Sequence, residues 1–413
     1  MPRLVRSLMP GLALVATALI PHASSAQETP APAPAPAPAP ITVVSGAGGK
    51  NYLNLSLDVL VAAGASTEPD VGELQTGGHD PAQRGFTLQN LEMVLDGAVD
   101  PYFKGQANLV MQITPDGATT FELEEAYGLT TSLPHNLQVK IGQYFSEFGR
   151  INPTHPHTWD FVDQPLVSGR MFGPDGLRSL GARLSWLMPV PFYSELIVGI
   201  QNGHGETQTS FGSVAGETQF GRPIVSDDVH ALSDMLYVPR WDGSFDIGDN
   251  QTMVVGASGA FGPNGTGPDA MTEIGGVDFL WKWKSPRADK GFPFVKIQGE
   301  AMWRNYDAAA TPLLPAAVFQ DHGAYAQVVW GIKPMWTLGF RYDTVGGDVG
   351  DDPLDPRFAP RDRASVEATW YMTEYSKLRA QYNYDRRGGG FDDASSVWLQ
   401  FEFILGAHAA HKF

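Results

Sequence analysis

From Asn51 onward one pattern dominates the chain: apolar and polar residues alternate along stretch after stretch. In the stretch 85–99, for example, Leu91 and Met93 fall on one face and Glu92 falls on the other. A period of two is the signature of a β-strand, because successive side chains point to opposite faces of a sheet. We count about sixteen such stretches, which predicts an all-β fold. They are 51–63, 85–99, 102–113, 120–130, 137–147, 177–188, 193–202, 230–241, 251–261, 271–284, 292–306, 320–332, 335–345, 363–372, 376–386 and 397–413.

The connections between these stretches alternate between short and long. Such alternation is typical of an antiparallel barrel with tight turns at one end and long loops at the other. The connections 242–250 and 285–291 fit less well, and 230–241 is the weakest strand because Pro239 cannot donate to a ladder. The short connections are 100–101, 132–136, 189–192, 333–334 and 373–375, and the long ones include 64–84, 148–176, 203–229 and 346–362.

The first 26 residues have the features of a secretory signal peptide. Arg3 and Arg6 form a basic start, Leu8–Ile20 is a short apolar run, and small residues lead up to Ala26, where we predict cleavage. The apolar run is too short to cross ~30 Å of hydrocarbon as a helix. This export signal places the mature chain outside the cytoplasm.

Residues 27–50 form a separate Pro/Ala-rich periplasmic segment, which favours extended conformation and cannot build a core. It is either a tether or spacer, or a disordered leader. The remaining residues, 51–413, form the predicted barrel domain. The chain has no cysteine, which excludes disulfides and cysteine-ligated metal centres.

Alternation by itself also suits a soluble sandwich, in which the apolar face meets a second sheet. Three features favour a membrane barrel with its apolar face towards lipid. The chain carries an export signal. Aromatic residues such as Trp303 and Trp370 lie near strand ends, as in an interfacial girdle. A sheet in lipid has to close, because an open edge leaves backbone groups unpaired. We therefore predict a closed transmembrane antiparallel β-barrel of about sixteen strands in the outer membrane of a Gram-negative cell.

The last stretch, VWLQFEFILGAHAAHKF, predicts the closing strand. Val397, Leu399 and Phe401 share one phase, and the terminal Phe413 lies on the same phase. A terminal aromatic residue resembles the signal by which the barrel-assembly machinery recognises outer-membrane barrels. Phe413 is therefore the predicted assembly signal.

Three blocks of sequence resemble the phosphate-selective porin superfamily of the outer membrane: GQYFSEFGRINPTHPHTWDFVDQPL (142–166), FGPDGLRSLGARLSW (172–186) and LGAHAAHKF (405–413). The likeness covers most of 51–413. The resemblance implies a sixteen-stranded barrel, often a homotrimer, with an outer loop folded inward to narrow the pore. The family name also implies phosphate, but a phosphate-selective route should be rich in Arg and Lys, whereas this chain has a formal net charge of −17.

The loop Phe148–Gly176 carries several charged and imidazole side chains, and it is the predicted pore-constriction loop. It is equally open to being a loop pinned by its own hydrogen bonds. Its candidate residues are Arg150, His155, His157, Asp160, Asp163 and Arg170. The polar phase of the strands should face water, and its charges are mixed in sign. The predicted pore-lining residues are Lys104, Glu122, Glu124, Lys140, Arg183, Lys282, Lys296, Glu300, Arg304, Arg341, Arg379 and Glu402.

Other chemistry has weaker support. His155 and His157 with Asp160 offer ligands that suit zinc, but no second compact set nearby completes a coordination shell, so we predict no metal site and no cofactor. The acidic pairs at 227–228 and 351–352 favour solvated loops, with divalent-cation bridging to lipopolysaccharide as the alternative. The chain lacks a G-x-S-x-G nucleophile elbow, and we predict that it is not an enzyme.

The sequence therefore predicts a porin: a water-filled channel for passive diffusion of small hydrophilic or ionic solutes, anions such as phosphate among them. The expected partners are outer-membrane lipids, lipopolysaccharide and small solutes, and no nucleic acid. The alternatives are an energised receptor of the TonB-dependent type and a structural envelope barrel without open conductance. The receptor class carries a large plug before its barrel, whereas here only the Pro/Ala-rich segment separates Ala26 from Asn51.

Overall fold

The computed structural model describes residues 41–45, 51–98, 100–225, 229–348 and 358–406. The predicted signal peptide, most of the Pro/Ala-rich segment, the acidic pairs at 227–228 and 351–352, and Phe413 lie outside these ranges. In the described part of the chain, no helix is long and apolar enough to cross a membrane.

Sixteen strands of the described chain form one closed antiparallel ring. Each ring strand pairs with the next ring strand along the chain, and the last one pairs with the first to close the ring. The ring strands are β2 (Tyr52–Ser66), β3 (Gly85–Ala98), β4 (Phe103–Ile113), β5 (Thr119–Thr130), β6 (Leu137–Phe145), β7 (Arg178–Leu187), β8 (Tyr193–Asn202), β11 (Met235–Asp246), β12 (Gln251–Pro263), β13 (Met271–Asp289), β14 (Phe292–Ala308), β15 (Ala317–Lys333), β16 (Trp336–Asp348), β17 (Arg361–Thr373), β18 (Ser376–Arg387) and β19 (Ala394–Leu405). The predicted closed β-barrel is thus confirmed.

Three short strands lie outside this ring. β1 (Ile41–Ser45) falls in the segment that the sequence assigns to a spacer, and it pairs with the start of β2. β9 (Thr218–Gln219) and β10 (Arg222–Pro223) form a small hairpin within the long connection from β8 to β11.

Short turns and longer loops alternate around most of the ring, as the sequence predicts, but the connection 114–118 from β4 to β5 is as short as a turn. The two connections that fitted less well become short, because β11 continues to Asp246 and β13 continues to Asp289. β11 begins at Met235 rather than at residue 230, since 232–234 form a 3₁₀ turn. Pro239 lies within β11 opposite Val198 of β8. The pairing with β12 is interrupted at this point, as expected for a residue without an N–H.

The burial pattern is the reverse of that in a soluble protein. Apolar side chains on the strands are exposed, for instance Leu399 at 48% and Phe340 at 45%. Arginine side chains on the opposite phase are among the most buried, for instance Arg341 at 1% and Arg363 at 0%. A polar interior and an apolar outer face are the arrangement of a barrel that crosses a membrane.

In the described part of the chain, the largest cluster of buried apolar side chains is built around the loop between β6 and β7. This β6–β7 loop includes a 3₁₀ turn at Pro156–Thr158 and the helix α1 (Leu166–Phe172). α1 is adjacent to β14, β15 and β16. Val167, Met171 and Phe172 of α1 are buried in a cluster with side chains such as Met302 and Tyr325 of those strands.

Gly142 in β6 occupies a position where the backbone leaves no room for a side chain. Its φ is +138°, and a Cβ atom there would lie 2.2 Å from the carbonyl oxygen of Ala126 in β5. We expect Gly142→Ala to lower the free energy of unfolding by about 1–3 kcal/mol, because the backbone conformation and the close approach both exclude a side chain. Urea unfolding of the lipid-reconstituted protein measures this. Gly105→Ala is the control, since its Cβ would meet only an oxygen at 3.8 Å, and an equal loss in both variants would contradict the expectation.

Candidate functional site

A cavity of about 800 Å³ lies against the β6–β7 loop and the strands β2 to β8, β11 and β12. Its wall combines polar and apolar surface and carries charges of both signs. The basic side chains are Lys104, Lys140, Arg150, Arg183 and Arg240, and the acidic ones are Asp96, Glu125, Glu147, Glu195 and Asp242. With five lysine and arginine side chains, five carboxylates and the imidazole of His155, the wall has no large excess of either sign.

Asp163 of the β6–β7 loop is the centre of a buried network. Its two carboxylate oxygens accept hydrogen bonds from Arg341 at 2.7 Å, Arg363 at 2.8 Å, Gln381 at 2.9 Å and Asn383 at 2.9 Å. These donors come from β16, β17 and β18. Burial by itself would raise the pKa of Asp163, but the two guanidinium groups outweigh it and hold this pKa below its ordinary value.

The beginning of the loop is fastened to β14 through Glu300. This carboxylate accepts the backbone N–H groups of Arg150 and Ile151, both at 2.9 Å, and the hydroxyl of Tyr325 at 2.8 Å. The guanidinium of Arg150 lies 3.9 Å from Asp278 and borders the cavity. Arg150 is thus held at its backbone, and its side chain, 14% exposed, lies at the cavity wall.

Asp160 and α1 are attached to the same side of the ring. Asp160 pairs with Lys296 at 2.6 Å and accepts from Gln327 at 2.7 Å. Arg170 of α1 donates to Asp321 at 2.9 Å, and Arg304 donates to both oxygens of that carboxylate at 2.6 and 2.9 Å. These are charge-assisted bonds, which are the stronger class of hydrogen bond.

His155 and His157 lie in a cluster of buried carboxylates on the other side of the ring. Nδ1 of His155 lies 3.0 Å from Glu124 and 3.3 Å from Glu92, while its Nε2 lies 3.1 Å from Glu125. Nδ1 of His157 lies 3.1 Å from the other oxygen of Glu92 and 3.3 Å from Asp58. Asp58, Glu92 and Glu124 are each 0% exposed. Lys377 donates to the carbonyl of His157 at 2.7 Å.

Burial lowers the pKa of both imidazoles, yet the two are driven apart. Around His155 the carboxylates of Glu92, Glu124 and Glu125 outweigh burial and raise its pKa well above the ordinary value. His157 is buried next to His155 and Lys377, and its pKa falls well below the ordinary value. The pKa values of the two adjacent histidines are thus displaced in opposite directions by their different surroundings.

Two β-bulges bring extra polar side chains into this cluster. Opposite β4, Asn108 pairs with Glu125 and Leu109 pairs with Leu123, so Glu124 is the additional residue. Both Glu124 and Glu125 are buried as a result. A second bulge in β3 leaves Gln89 and Asn90 buried together. Bulges insert one residue and shift the strand phase, which a strict period of two does not anticipate.

Most of the predicted pore-lining residues lie in the interior, and many are paired. Arg379 donates to the carbonyl of Trp159, and Glu402 pairs with Lys377 at 2.5 Å. Arg183 and Lys140 both pair with Glu147 of the loop, and Glu122 pairs with Arg178. The exceptions are exposed: Lys104 borders the cavity, and Lys282 lies 5.6 Å from the ring of Phe294. Several further members of the networks were not among the predicted site residues, among them Asp58, Glu92, Glu125, Asp321, Arg363 and Lys377.

The chain is 32% identical over 365 residues to an uncharacterised protein of Aquifex aeolicus, which covers 82% of this chain and 73% of that one. The chain belongs to the family of this Aquifex protein. No protein-family model matches it. The family is thus shown by a relative whose own name gives no activity.

Solved structures with the same fold are outer-membrane porins and channels. The channel DcaP of Acinetobacter baumannii has a TM-score of 0.55 at 13% identity, covering 88% of this chain and 100% of that one. An anion-selective porin from Comamonas acidovorans has a TM-score of 0.54 at 9% identity, covering 86% and 100%. The trimer form of OmpT from Vibrio cholerae has a TM-score of 0.52 at 9% identity, with the same two coverages. At these sequence identities the structural likeness establishes the barrel fold of this chain and nothing further.

Proposed function

We propose that this protein is an outer-membrane porin, a water-filled channel through which small hydrophilic or ionic solutes diffuse passively. The observation that carries the proposal is the reversed burial pattern, with leucine and phenylalanine outside and arginine inside a closed ring. The cavity of about 800 Å³, with charged side chains of both signs on its wall, supports it. No catalytic step is part of this function.

The β6–β7 loop acts in this proposal as the constriction, folded into the lumen. Side chains from β14 to β18 hold its backbone and its carboxylates, and side chains from β2 to β5 face its histidines. A loop fastened to strands on both sides of the ring narrows the passage between them. The remaining channel then runs along the cavity wall, where Lys104, Arg150 and Asp242 are among the charges met by a solute.

Weak charge selectivity follows from the balanced wall. Anions such as phosphate are included among the solutes on the strength of the sequence resemblance, while the five acidic groups of the cavity oppose a strong anion preference. Purified protein in planar bilayers tests the function. Stepwise ohmic conductance supports a porin, and the absence of conductance would refute it. The reversal potential in a salt gradient then gives the preferred ion.

Arg150 is the side chain whose charge should most affect selectivity. We expect Arg150→Glu to shift the cation-to-anion permeability ratio at least about threefold towards cations, since a change of about one kT in the local potential suffices. Reversal potentials in a potassium chloride gradient measure the ratio. Arg287→Glu is the matched control because Arg287 is exposed near the turn after β13. Equal ratios for both variants would place Arg150 outside the conduction path. Arg170 is a poor probe of ion selectivity, because its guanidinium is paired with Asp321.

A structural barrel with little conductance is the second candidate, and the dense pairing of the loop favours it. The conductance measurement separates the two.

In either case we propose an outer-membrane location after cleavage of the signal peptide, insertion directed by Phe413, and contact with lipid and lipopolysaccharide. A homotrimer is part of the proposal, because barrels of the same fold include a trimeric form. Cross-linking in detergent tests it.

A further inference from the structure

The carboxylate and imidazole cluster around Glu92 has the composition and spacing of a metal centre. One ligand atom from each of Asp58, Glu92 and His157 lies within 4.8 Å of the others, and the same holds for Glu92, Glu124 and His155. These two sets share Glu92, whereas a third set of His79, Glu122 and Glu124 overlaps the second set only at Glu124. Oε1 of Glu92 is the atom near His155, and its Oε2 is the atom near His157.

We propose that this cluster binds divalent transition-metal ions such as Zn²⁺ at two adjacent positions bridged by Glu92. His155 and Glu124 complete one position, and His157 and Asp58 complete the other. Imidazole nitrogen together with carboxylate oxygen is a donor set that suits such ions. Each position offers three protein ligands and leaves a fourth place open.

The distances between the ligand atoms are close to those of Zn²⁺ coordination. Metal–ligand bonds of about 2.0–2.2 Å in a tetrahedron place neighbouring ligand atoms about 3.3–3.6 Å apart. The nitrogen–oxygen distances in the cluster are 3.0 and 3.3 Å at His155, and 3.1 and 3.3 Å at His157. An ion therefore needs only a small expansion of these contacts.

Unsatisfied carboxylate oxygens point to the same conclusion. Within the described part of the chain, no hydrogen bond of good geometry reaches either oxygen of Asp58 or of Glu124, although Nε2 of His79 lies 2.7 Å from Oε1 of Glu124. Both side chains are 0% exposed. A buried carboxylate without hydrogen-bond donors is costly, and coordination to a cation removes that cost.

The surroundings of His155 match those of a metal-bound histidine. Its Nδ1 faces the carboxylates of the first position, while its Nε2 faces Glu125 at 3.1 Å. A second carboxylate on the far nitrogen is the usual way to orient a ligating imidazole. Asn108 donates to Oε1 of Glu92 at 2.6 Å and orients that ligand too. His155 and Glu125 also border the large cavity, which provides a path for the ion to enter.

The ions would fasten the β6–β7 loop to three strands of the ring. His155 and His157 belong to the loop, whereas Asp58, Glu92 and Glu124 belong to β2, β3 and β5. The inference does not depend on conduction, because a barrel with a closed lumen would bind metal equally well.

The test uses the full chain in detergent, stripped of metal by a chelator and titrated with ZnCl₂ in a calorimeter. We expect about two Zn²⁺ per chain, in line with the two three-residue sets and tetrahedral sites of open coordination. Glu92→Gln should weaken binding at least about 100-fold, because even the loss of an outer-shell partner typically costs 10–100-fold. His230→Ala and Glu206→Gln are exposed controls and should bind as the wild type does.

A measurement on the unmodified protein guards against variants that fail to fold. Zn K-edge absorption spectra of the wild type should show nitrogen and oxygen at about 2.0–2.1 Å, together with the outer-shell scattering of imidazole. The proposal is overturned if wild-type protein binds Zn²⁺ no more tightly than Glu92→Gln does. It is equally overturned if the spectra show no imidazole bound to zinc. In that case protons, and not metal ions, would hold the histidines and carboxylates of the cluster together.

Discussion

Replacing Asp163 by alanine should cost about 3–5 kcal/mol of unfolding free energy, the range measured when one partner of a buried ion pair is removed. Arg341 and Arg363 would each lose a bond to this carboxylate while remaining buried. Asp343 and Asp385 still compensate part of their charge, so the loss comes mainly from unsatisfied donors. Urea unfolding from phospholipid vesicles, followed by tryptophan fluorescence, measures the change.

The same variant should raise the single-channel conductance, because the Asp163 segment of the loop loses its attachment to β16, β17 and β18. Asp160→Ala is the matched control. It removes another carboxylate from the same loop, but that pair with Lys296 is partly exposed, and such pairs contribute only about 0–1 kcal/mol. If the two variants unfold at the same urea concentration, the Asp163 network does not hold the loop.

Leu399→Arg should destabilise the barrel by about 2–4 kcal/mol, the cost of placing arginine on the lipid face near the bilayer midplane. Leu399 lies near the middle of β19 and is exposed on the apolar face of the ring. In a soluble protein the same change at an exposed position would be nearly neutral. The measurement therefore tests whether this face contacts hydrocarbon, which is the basis of the proposed function.

Leu405→Arg provides the control at the end of the same strand. Leu405 is also exposed, but near the interface the cost of arginine falls to about 0–1 kcal/mol. Reversible unfolding of both variants from vesicles of one composition gives the difference. A small and equal loss of stability in the two variants would show that the outer face does not contact lipid. The channel hypothesis would then be contradicted.

Local periodicity explains why the strands could be predicted so well. Leu399 is exposed and Gln400 is buried. Neighbouring residues are enough to predict this alternation, because a pleated strand sends successive side chains to opposite sides. The bounds of β8 follow from the sequence to the residue. Errors occur where the local signal is weak, as at the start of β11, where a 3₁₀ turn precedes the strand.

The sequence also determined that the chain closes into a ring, since alternating turn lengths and an apolar outer phase have few other solutions. Only the tertiary structure decided which side chains meet inside. Asp163 and Arg363 are 200 residues apart, and His157 and Glu92 are 65 apart. A bulge turns both Glu124 and Glu125 inward. Periodicity describes one strand at a time, whereas the position of the β6–β7 loop depends on strands from the whole ring.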